Sequence, residues 1–241
     1  MNHVHKQSTQ GFTLIELMLA MTFISVLLLA IAMTIIQIGT IYNKGMTVKE
    51  INQSGRFIAT DVSRTATAAP QLDLTTDMRT NAVGGRLCFA SYTYIWNYQF
   101  AVELAKDGVP QTGLNVYDGS AKEVHLVKVP DPAKIYCALN GTGGYLYAGI
   151  RALDAPKVQE LLPSGDSTIG VNRFEIPTAT RITDPTTRQN LYTLLYTIGS
   201  GKTAAMTPDR SDCLPPGVAG SDLTYCSVQQ FGLVLKTGNR V

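Results

Sequence analysis

The sequence has few of the residues on which most catalytic sites depend. It contains 3 histidines in 241 residues, and two of these, His3 and His5, lie close to the N-terminus. Nucleophilic Ser–His or Cys–His pairs elsewhere would depend on His125, whose strand-like surroundings favour a packed or surface position. The motifs Gly-x-Ser-x-Gly, His-Glu-x-x-His and Gly-x-x-x-x-Gly-Lys-Ser/Thr are absent. We predict a protein that is not an enzyme and uses no cofactor.

Charge is sparse and nearly balanced. Charged residues make up 16% of the chain, and 20 Lys and Arg against 18 Asp and Glu give a formal net charge of +2. This balance leaves no excess of positive charge that would indicate binding to nucleic acid, and no motif indicates a specific small molecule. With 45% apolar residues, the composition is typical of a globular protein rather than a disordered one.

The stretch from Leu17 to Ile36 lacks charge, proline and glycine altogether. About twenty such residues form a helix that can cross a hydrocarbon core of roughly 30 Å. The preceding residues 1–11 contain Lys6 and no acidic residue. A positive flank stays in the cytoplasm, so we expect a single span of the cytoplasmic membrane with the C-terminal bulk outside.

Glu16 lies at the beginning of this apolar run. An ionised carboxylate within lipid costs at least roughly 2.5–3.5 kcal/mol and therefore calls for a cationic partner. If the chain were cut between Gly11 and Phe12, the new α-amino group would lie four residues before Glu16. The amine of a neighbouring copy could pair with this carboxylate, which would favour lateral assembly.

The segment 11–17, Gly-Phe-Thr-Leu-Ile-Glu-Leu, resembles the class III signal of type IV pilins and of type II secretion pseudopilins. The resemblance implies that a prepilin peptidase cuts after Gly11 and methylates Phe12, and that Glu16 is the assembly carboxylate. The alternatives are an ordinary signal anchor and a cleaved signal peptide. A signal peptide would have a shorter apolar core, of about 7–15 residues.

We expect an α+β protein with a pilin-like fold, in which a long N-terminal helix packs on a C-terminal antiparallel β-sheet domain. The predicted parts are a leader at 1–11, a helix at 12–69 with its transmembrane part at 17–36, a connecting loop at 70–85 and a β-rich head at 86–241. The helix is predicted to end near Pro70, because the residue before a proline avoids α geometry.

An apolar stripe with steps of three and four residues continues beyond the span. Its members are Ile41, Val48, Ile51, Gly55, Ile58, Val62 and Thr65. Charged side chains, including Asp61, are predicted to lie largely elsewhere on the helix. Gly39 and Gly45 interrupt the helix pattern, either as points of bending or as harmless surface positions.

Short β-type runs separated by Gly, Pro and Asp follow from Arg86 onward. The predicted strands are 86–94, 123–129, 134–139, 144–150, 171–176, 190–198 and 227–236. No long helix is predicted after residue 70, although residues 158–162 could form one helical turn. Alternate aromatic residues at Tyr92, Tyr94, Trp96, Tyr98 and Phe100 would share one face of a strand, either as sheet core over the helix or as an exposed recognition surface.

All four cysteines lie in the part predicted to be outside the cytoplasm, where disulfides persist. Three pairings exist. We favour Cys88 with Cys137, on two β-like segments, and Cys213 with Cys226, which resembles the C-terminal disulfide loop of many pilins. A zinc site is the alternative, disfavoured because no Cys-x-x-Cys pair is present.

The resemblance implies a minor subunit, at the tip or in priming, of a type IV pilus-like filament. The segment 54–64 is similar to the stalk of W-type minor pilins and J-type pseudopilins. The expected partners are the prepilin peptidase, other major and minor pilins, the pilus assembly platform protein and the inner membrane. A minor pseudopilin of type II secretion and a tip adhesin are the alternatives.

Overall fold

The computed structural model of the chain describes residues 13–120, 122–162, 169–178, 181–184, 186, 189–200, 202–222 and 224–238. The chain forms two compact units, Met1–Asn43 and Lys44–Val241. Within the first unit, the described residues from Leu14 onward are helical. They belong to helix α1 (Leu14–Thr67), which is continuous over 54 residues and includes both Gly39 and Gly45.

The second unit contains the C-terminal part of α1. The buried side chains there repeat at steps of three and four residues and include Ile51, Ile58, Val62 and Thr65. The predicted apolar stripe is confirmed for these positions. Asp61 corrects the prediction for the charged residues, because it is buried on the same face of the helix, with 3% of its surface exposed.

Two antiparallel sheets form most of the rest. The first has the order β1-β2-β3-β4-β5, and the second has β6 and β7 on one side of β8 and β9 on the other. The strands are β1 (Met78–Thr80), β2 (Gly84–Cys88), β3 (Tyr92–Asn97), β4 (Leu126–Pro130), β5 (Gln159–Leu162), β6 (Gly170–Glu175), β7 (Ile182–Thr183), β8 (Asn190–Ser200) and β9 (Ser227–Thr237). The α+β class is confirmed, as is the packing of a long N-terminal helix on antiparallel sheet.

One core unites α1 with both sheets. Ile58 of α1, Trp96 of β3 and Phe174 of β6 belong to the same buried cluster. The Trp96 and Phe174 rings contact each other with centroids 4.4 Å apart. Successive side chains of β3 point to opposite faces of the sheet, so Ile95 belongs to a second cluster on the other side of the first sheet. The loops before and after β4 cover that side.

Short helices occupy places where the sequence predicted loop or strand. The connecting segment 70–85 contains α2 (Leu74–Asp77), whose first turn is capped when Thr75 N donates to the Asp73 carboxylate at 3.0 Å. It also contains β1 and the start of β2. Helix α3 (Gln99–Lys106) follows β3. Two 3₁₀ turns lie at Ala155–Lys157 and Thr203–Ala205.

Three strand predictions and one helical-turn prediction are corrected by the structure. The run 86–94 is divided between β2 and β3 by a turn, and 158–162 is largely strand β5 rather than a helical turn. Residues 134–139 form turns, because Ile135 N and Tyr136 N donate to the Asp131 carboxylate at 2.9 and 3.1 Å. Residues 144–150 make only isolated bridges.

Candidate functional site

The N-terminal motif continues directly into α1. Gly11 and Phe12, the predicted cleavage and methylation residues, lie outside the described residues. Thr13 N and Oγ1 both donate to Glu16 Oε2, at 2.9 and 2.8 Å, and Glu16 N donates back to Thr13 Oγ1 at 3.3 Å. This reciprocal arrangement is a capping box, which satisfies N–H groups that the first turn of a helix leaves free.

Glu16 therefore has a local structural role that the sequence interpretation did not include. Only its Oε2 atom takes part in the capping box; Oε1 accepts no hydrogen bond from the described residues. A carboxylate can accept several hydrogen bonds at once. One oxygen of Glu16 can therefore cap its own helix while the other accepts a donor from a neighbouring chain.

The first part of α1 presents apolar side chains in every direction. Every residue from Thr13 to Gly39 is exposed, and Leu14 and Ile36 expose 77% and 69% of their surface. The helix contains one segment long and apolar enough to cross a membrane. A helix that is apolar on all sides needs lipid or other helices around it, so this segment fits a single-pass membrane anchor.

The hydroxyl groups within this segment are satisfied inside the helix. Thr22, Ser25 and Thr34 donate to the backbone carbonyls of Leu19, Met21 and Ala30 at 2.8–2.9 Å. A polar group in hydrocarbon is costly unless it is hydrogen-bonded. These internal hydrogen bonds lower the cost of placing the segment in lipid.

A buried ionic cluster ties α1 to the first sheet. Lys128 Nζ of β4 donates to both oxygens of the Asp61 carboxylate, at 3.0 and 2.9 Å, and to Thr65 Oγ1 at 2.9 Å. Tyr94 Oη of β3 donates to Asp61 Oδ2 at 2.6 Å. Arg64, which is exposed, adds a hydrogen bond to Asp61 Oδ1 at 3.0 Å.

The electrostatics of this cluster favour a charged Asp61. Burial alone would raise the pKa of Asp61, but the hydrogen bonds from Tyr94 and Lys128 outweigh it and hold the pKa below its usual range. Burial and the Asp61 carboxylate both raise the pKa of Tyr94 above its ordinary value, so the phenol stays a donor. The sequence contains one indication of this site. Asp61 follows Ile58 by three residues and precedes Thr65 by four, a spacing that places Asp61 on the same face of the helix as these two residues.

Disulfides link Cys88 to Cys137 and Cys213 to Cys226. These are the two pairings that the sequence favours. No cysteine remains free, so no thiolate is left for the alternative zinc site. Cys88 belongs to β2, and its bridge holds that strand to the turns after β4. The second disulfide closes a short loop next to the last strand.

The alternating aromatic residues do not share one strand. Tyr94 and Trp96 lie on the helix-facing side of β3 and are fully buried, as sheet core. Tyr92 begins the strand with 39% of its surface exposed. Tyr98 occupies the N-cap position of α3 and Phe100 lies within that helix, so neither continues the strand. The expectation of five rings on one strand face is therefore wrong.

His125 is buried just before β4. Its Nδ1 lies 3.1 Å from the Ile169 carbonyl oxygen, and its Nε2 lies 3.5 Å from the Glu123 carboxylate. These contacts pack the imidazole between backbone and a surface carboxylate. No cysteine thiol is free to pair with it.

The fold and the helix define an α+β protein with one N-terminal helix suited to membrane anchoring and a β-rich, disulfide-linked second unit. Comparisons of the chain with protein-family models, with curated proteins and with solved structures find no match.

Proposed function

We propose that this chain is a prepilin-like minor subunit, at the tip or in priming, of a type IV pilus-like filament. The observation that carries the proposal is the position of Glu16. Its carboxylate lies in the first turn of α1, immediately ahead of a helix segment that is apolar and exposed throughout. A single ionisable group at that place suits recognition between helices in a membrane or a filament core.

Assembly would follow from charge neutralisation. Cleavage after Gly11 would release an α-amino group at Phe12, and this cation would pair with Glu16 of the adjacent subunit. Because Glu16 Oε2 is already occupied by Thr13, the incoming amine would bind at Oε1. The pair would allow the apolar helices to move laterally from the membrane into a filament without exposing an unpaired charge.

The second unit would be carried on this helix. A subunit pulled from a membrane by its helix needs a firm connection between helix and head. The Asp61–Lys128–Tyr94 cluster supports this role, because it joins α1 to two adjacent strands of the first sheet. The two disulfides support a location outside the cytoplasm.

The mature N-terminal mass tests the proposal. We expect a peptide that begins with N-methylated Phe12 in cells with their prepilin peptidase, and an uncut N-terminus in cells without it. A retained Met1 in both strains, or a cut beyond residue 36, would refute the assembly mechanism. The protein would then be an anchored or secreted β-rich protein.

Deletion of the gene separates the possible machines. Loss of surface filaments would support a pilus subunit in assembly or priming. Intact filaments with blocked export of folded enzymes would support the type II secretion pseudopilin. Intact filaments and normal export, with lost attachment, would support the tip adhesin.

A further inference from the structure

A cavity of about 580 Å³ lies in the second unit, between the β1–β2 hairpin and the loops before and after β4. Pockets for small molecules typically measure about 300–1,000 Å³. Gly113, Gly143 and Gly144 form part of its lining and contribute no side chains, which keeps the space open. The cavity is separate from Glu16 and from the Asp61 cluster.

The cavity is lined by one cationic side chain and no acidic one. Arg79 is the cation, and Thr80, Asn81 and Gln111 are the neutral polar residues of the lining. Arg79 Nε is buried and has no hydrogen-bond acceptor among the described residues. Arg79 also makes no ion pair within that part of the chain. The Nε atom is too enclosed for a ligand to reach, but Nη1 and Nη2 of Arg79 are not enclosed and donate to no described residue either, so the end of the guanidinium is free to bind an anion.

A second arginine lies behind the cavity wall. Arg86 is fully buried, and its guanidinium carbon lies 3.8 Å from the centre of the Tyr145 ring, which lines the cavity. Its donors are used by Asn115 Oδ1 and by the carbonyls of Tyr136, Tyr147 and Ala148, at 2.8–3.0 Å. Four of the five N–H donors of Arg86 are thus used inside the protein, so Arg86 contributes mainly positive potential, whereas the Arg79 side chain donates to no described residue.

The remaining lining is apolar. Leu114, Val116, Leu139 and the Tyr145 ring contribute side chains to the wall. One guanidinium with an unused donor suits one carboxylate, because the two groups match in geometry and charge. The single cationic side chain in the lining balances one negative charge rather than the two of a phosphate dianion.

We propose that this cavity binds a small organic monoanion, a carboxylate on an apolar or aromatic body, with Arg79 as its counter-charge. Arg86 biases the site towards anions through the Tyr145 wall. The site is independent of the proposed assembly role, since it shares no residue with the N-terminal motif.

The test is isothermal titration calorimetry of the full chain in detergent micelles, with phenylacetate and its neutral isostere phenylacetamide as probes. We expect phenylacetate to bind at least about tenfold more tightly, as for a hydrogen bond to a charged group. In Arg79→Gln this preference should disappear. Arg56→Gln removes an exposed arginine elsewhere and should leave the preference unchanged.

Equal affinities, no detectable binding of phenylacetate, or an unchanged preference in Arg79→Gln would overturn the proposal. Leu139→Glu provides a second variant if Arg79→Gln does not fold, because Leu139 is 42% exposed and lines the cavity. This variant should weaken the binding of phenylacetate more than the binding of phenylacetamide, because the new carboxylate repels an anion. Equal weakening of both would count against the site. Tighter binding of glucuronate than of phenylacetate would refute the apolar body of the ligand.

Discussion

Lys128 Nζ binds both oxygens of the Asp61 carboxylate, across the interface between helix α1 and strand β4. Both side chains are at least 93% buried, at 7% and 3% exposure. The pair joins residues 67 positions apart in the sequence. It is therefore a connection between the helix and the sheet that the chain makes only when the second unit is folded.

Removing one member of this pair should destabilise the second unit strongly. We expect Lys128→Met to lower the free energy of unfolding by about 3–5 kcal/mol, because it leaves the Asp61 charge buried without its cation. Denaturant unfolding of the full chain in micelles, followed by near-UV circular dichroism, measures the change. The double variant Asp61→Leu, Lys128→Met should lose less free energy of unfolding than Lys128→Met alone, because it leaves no buried charge unpaired.

Lys106 and Glu123 offer a matched control. They form an ion pair at 2.9 Å whose side chains are 47% and 27% exposed. Exposed pairs contribute about 0–1 kcal/mol, so Lys106→Met should change stability little. A loss in Lys128→Met no larger than in Lys106→Met would contradict the importance of the buried cluster.

The same cluster predicts a dependence on pH. The pKa of Asp61 is lowered in the folded protein, so the group contributes stability above the unfolded pKa of about 4 and loses it as the pH falls through the folded pKa. We expect stability to decline below about pH 4. Asp61→Asn should be less stable at neutral pH and should decline less on acidification. If stability fell with pH in the same way in both proteins, Asp61 would not be a source of the pH dependence.

Substitutions at Glu16 separate helix capping from subunit pairing. Glutamine can fill the same place in a capping box but carries no charge. If charge pairing drives assembly, both Glu16→Gln and Glu16→Ala should reduce incorporation into filaments at least about tenfold, with normal membrane insertion and cleavage. Immunoblots of sheared filaments and of membranes measure these quantities. Normal incorporation of Glu16→Gln would assign the residue to capping alone.

The tight contact between α1 and β9 gives a prediction at Gly55. A Cβ built there would lie 2.2 Å from the Phe231 ring, whereas at Gly45 it would meet nothing within 4 Å. Gly55→Ala should therefore cost about 1–3 kcal/mol through overpacking. Gly45→Ala should be neutral or stabilise the helix by up to about 1 kcal/mol. Thermal unfolding compares the two, and Phe231→Leu should partly rescue Gly55→Ala.

The two disulfides should differ in their contribution. Cys88–Cys137 and Cys213–Cys226 span 49 and 13 positions. A disulfide lowers the entropy of the unfolded chain, and the effect grows with loop length. On this basis the first bridge should stabilise the folded protein by about 4 kcal/mol and the second by about 3 kcal/mol. Paired Cys→Ser variants, compared by denaturant unfolding, test this order. A larger loss on removal of the C-terminal bridge would show that loop length does not set the contribution.

Local sequence was sufficient for the elements whose pattern and packing agree. The uncharged run from Leu17 to Ile36, the stripe through Ile58 and the β-type runs at 190–198 and 227–236 each predicted the observed helix or strand. In these cases the side chains that define the period also face the core or the membrane. Composition and spacing therefore carry the information directly.

The sequence was misleading where a side chain outside a strand-like run takes the backbone groups of that run. Residues 134–139 form turns because the Asp131 carboxylate accepts two of their N–H groups. Residues 144–150 do not form a ladder strand, since Arg86 takes the carbonyls of Tyr147 and Ala148. Periodicity contains no information about such contacts.

The sequence by itself determined the long helix, the N-terminal motif on which the proposed function rests, and the α+β class. These features depend on residues that are close together along the chain. Only the tertiary structure decided that Asp61 is buried against Lys128 and that Arg79 lines a cavity without an acidic side chain. Burial and ion pairing depend on which distant segments meet, and no local pattern specifies that.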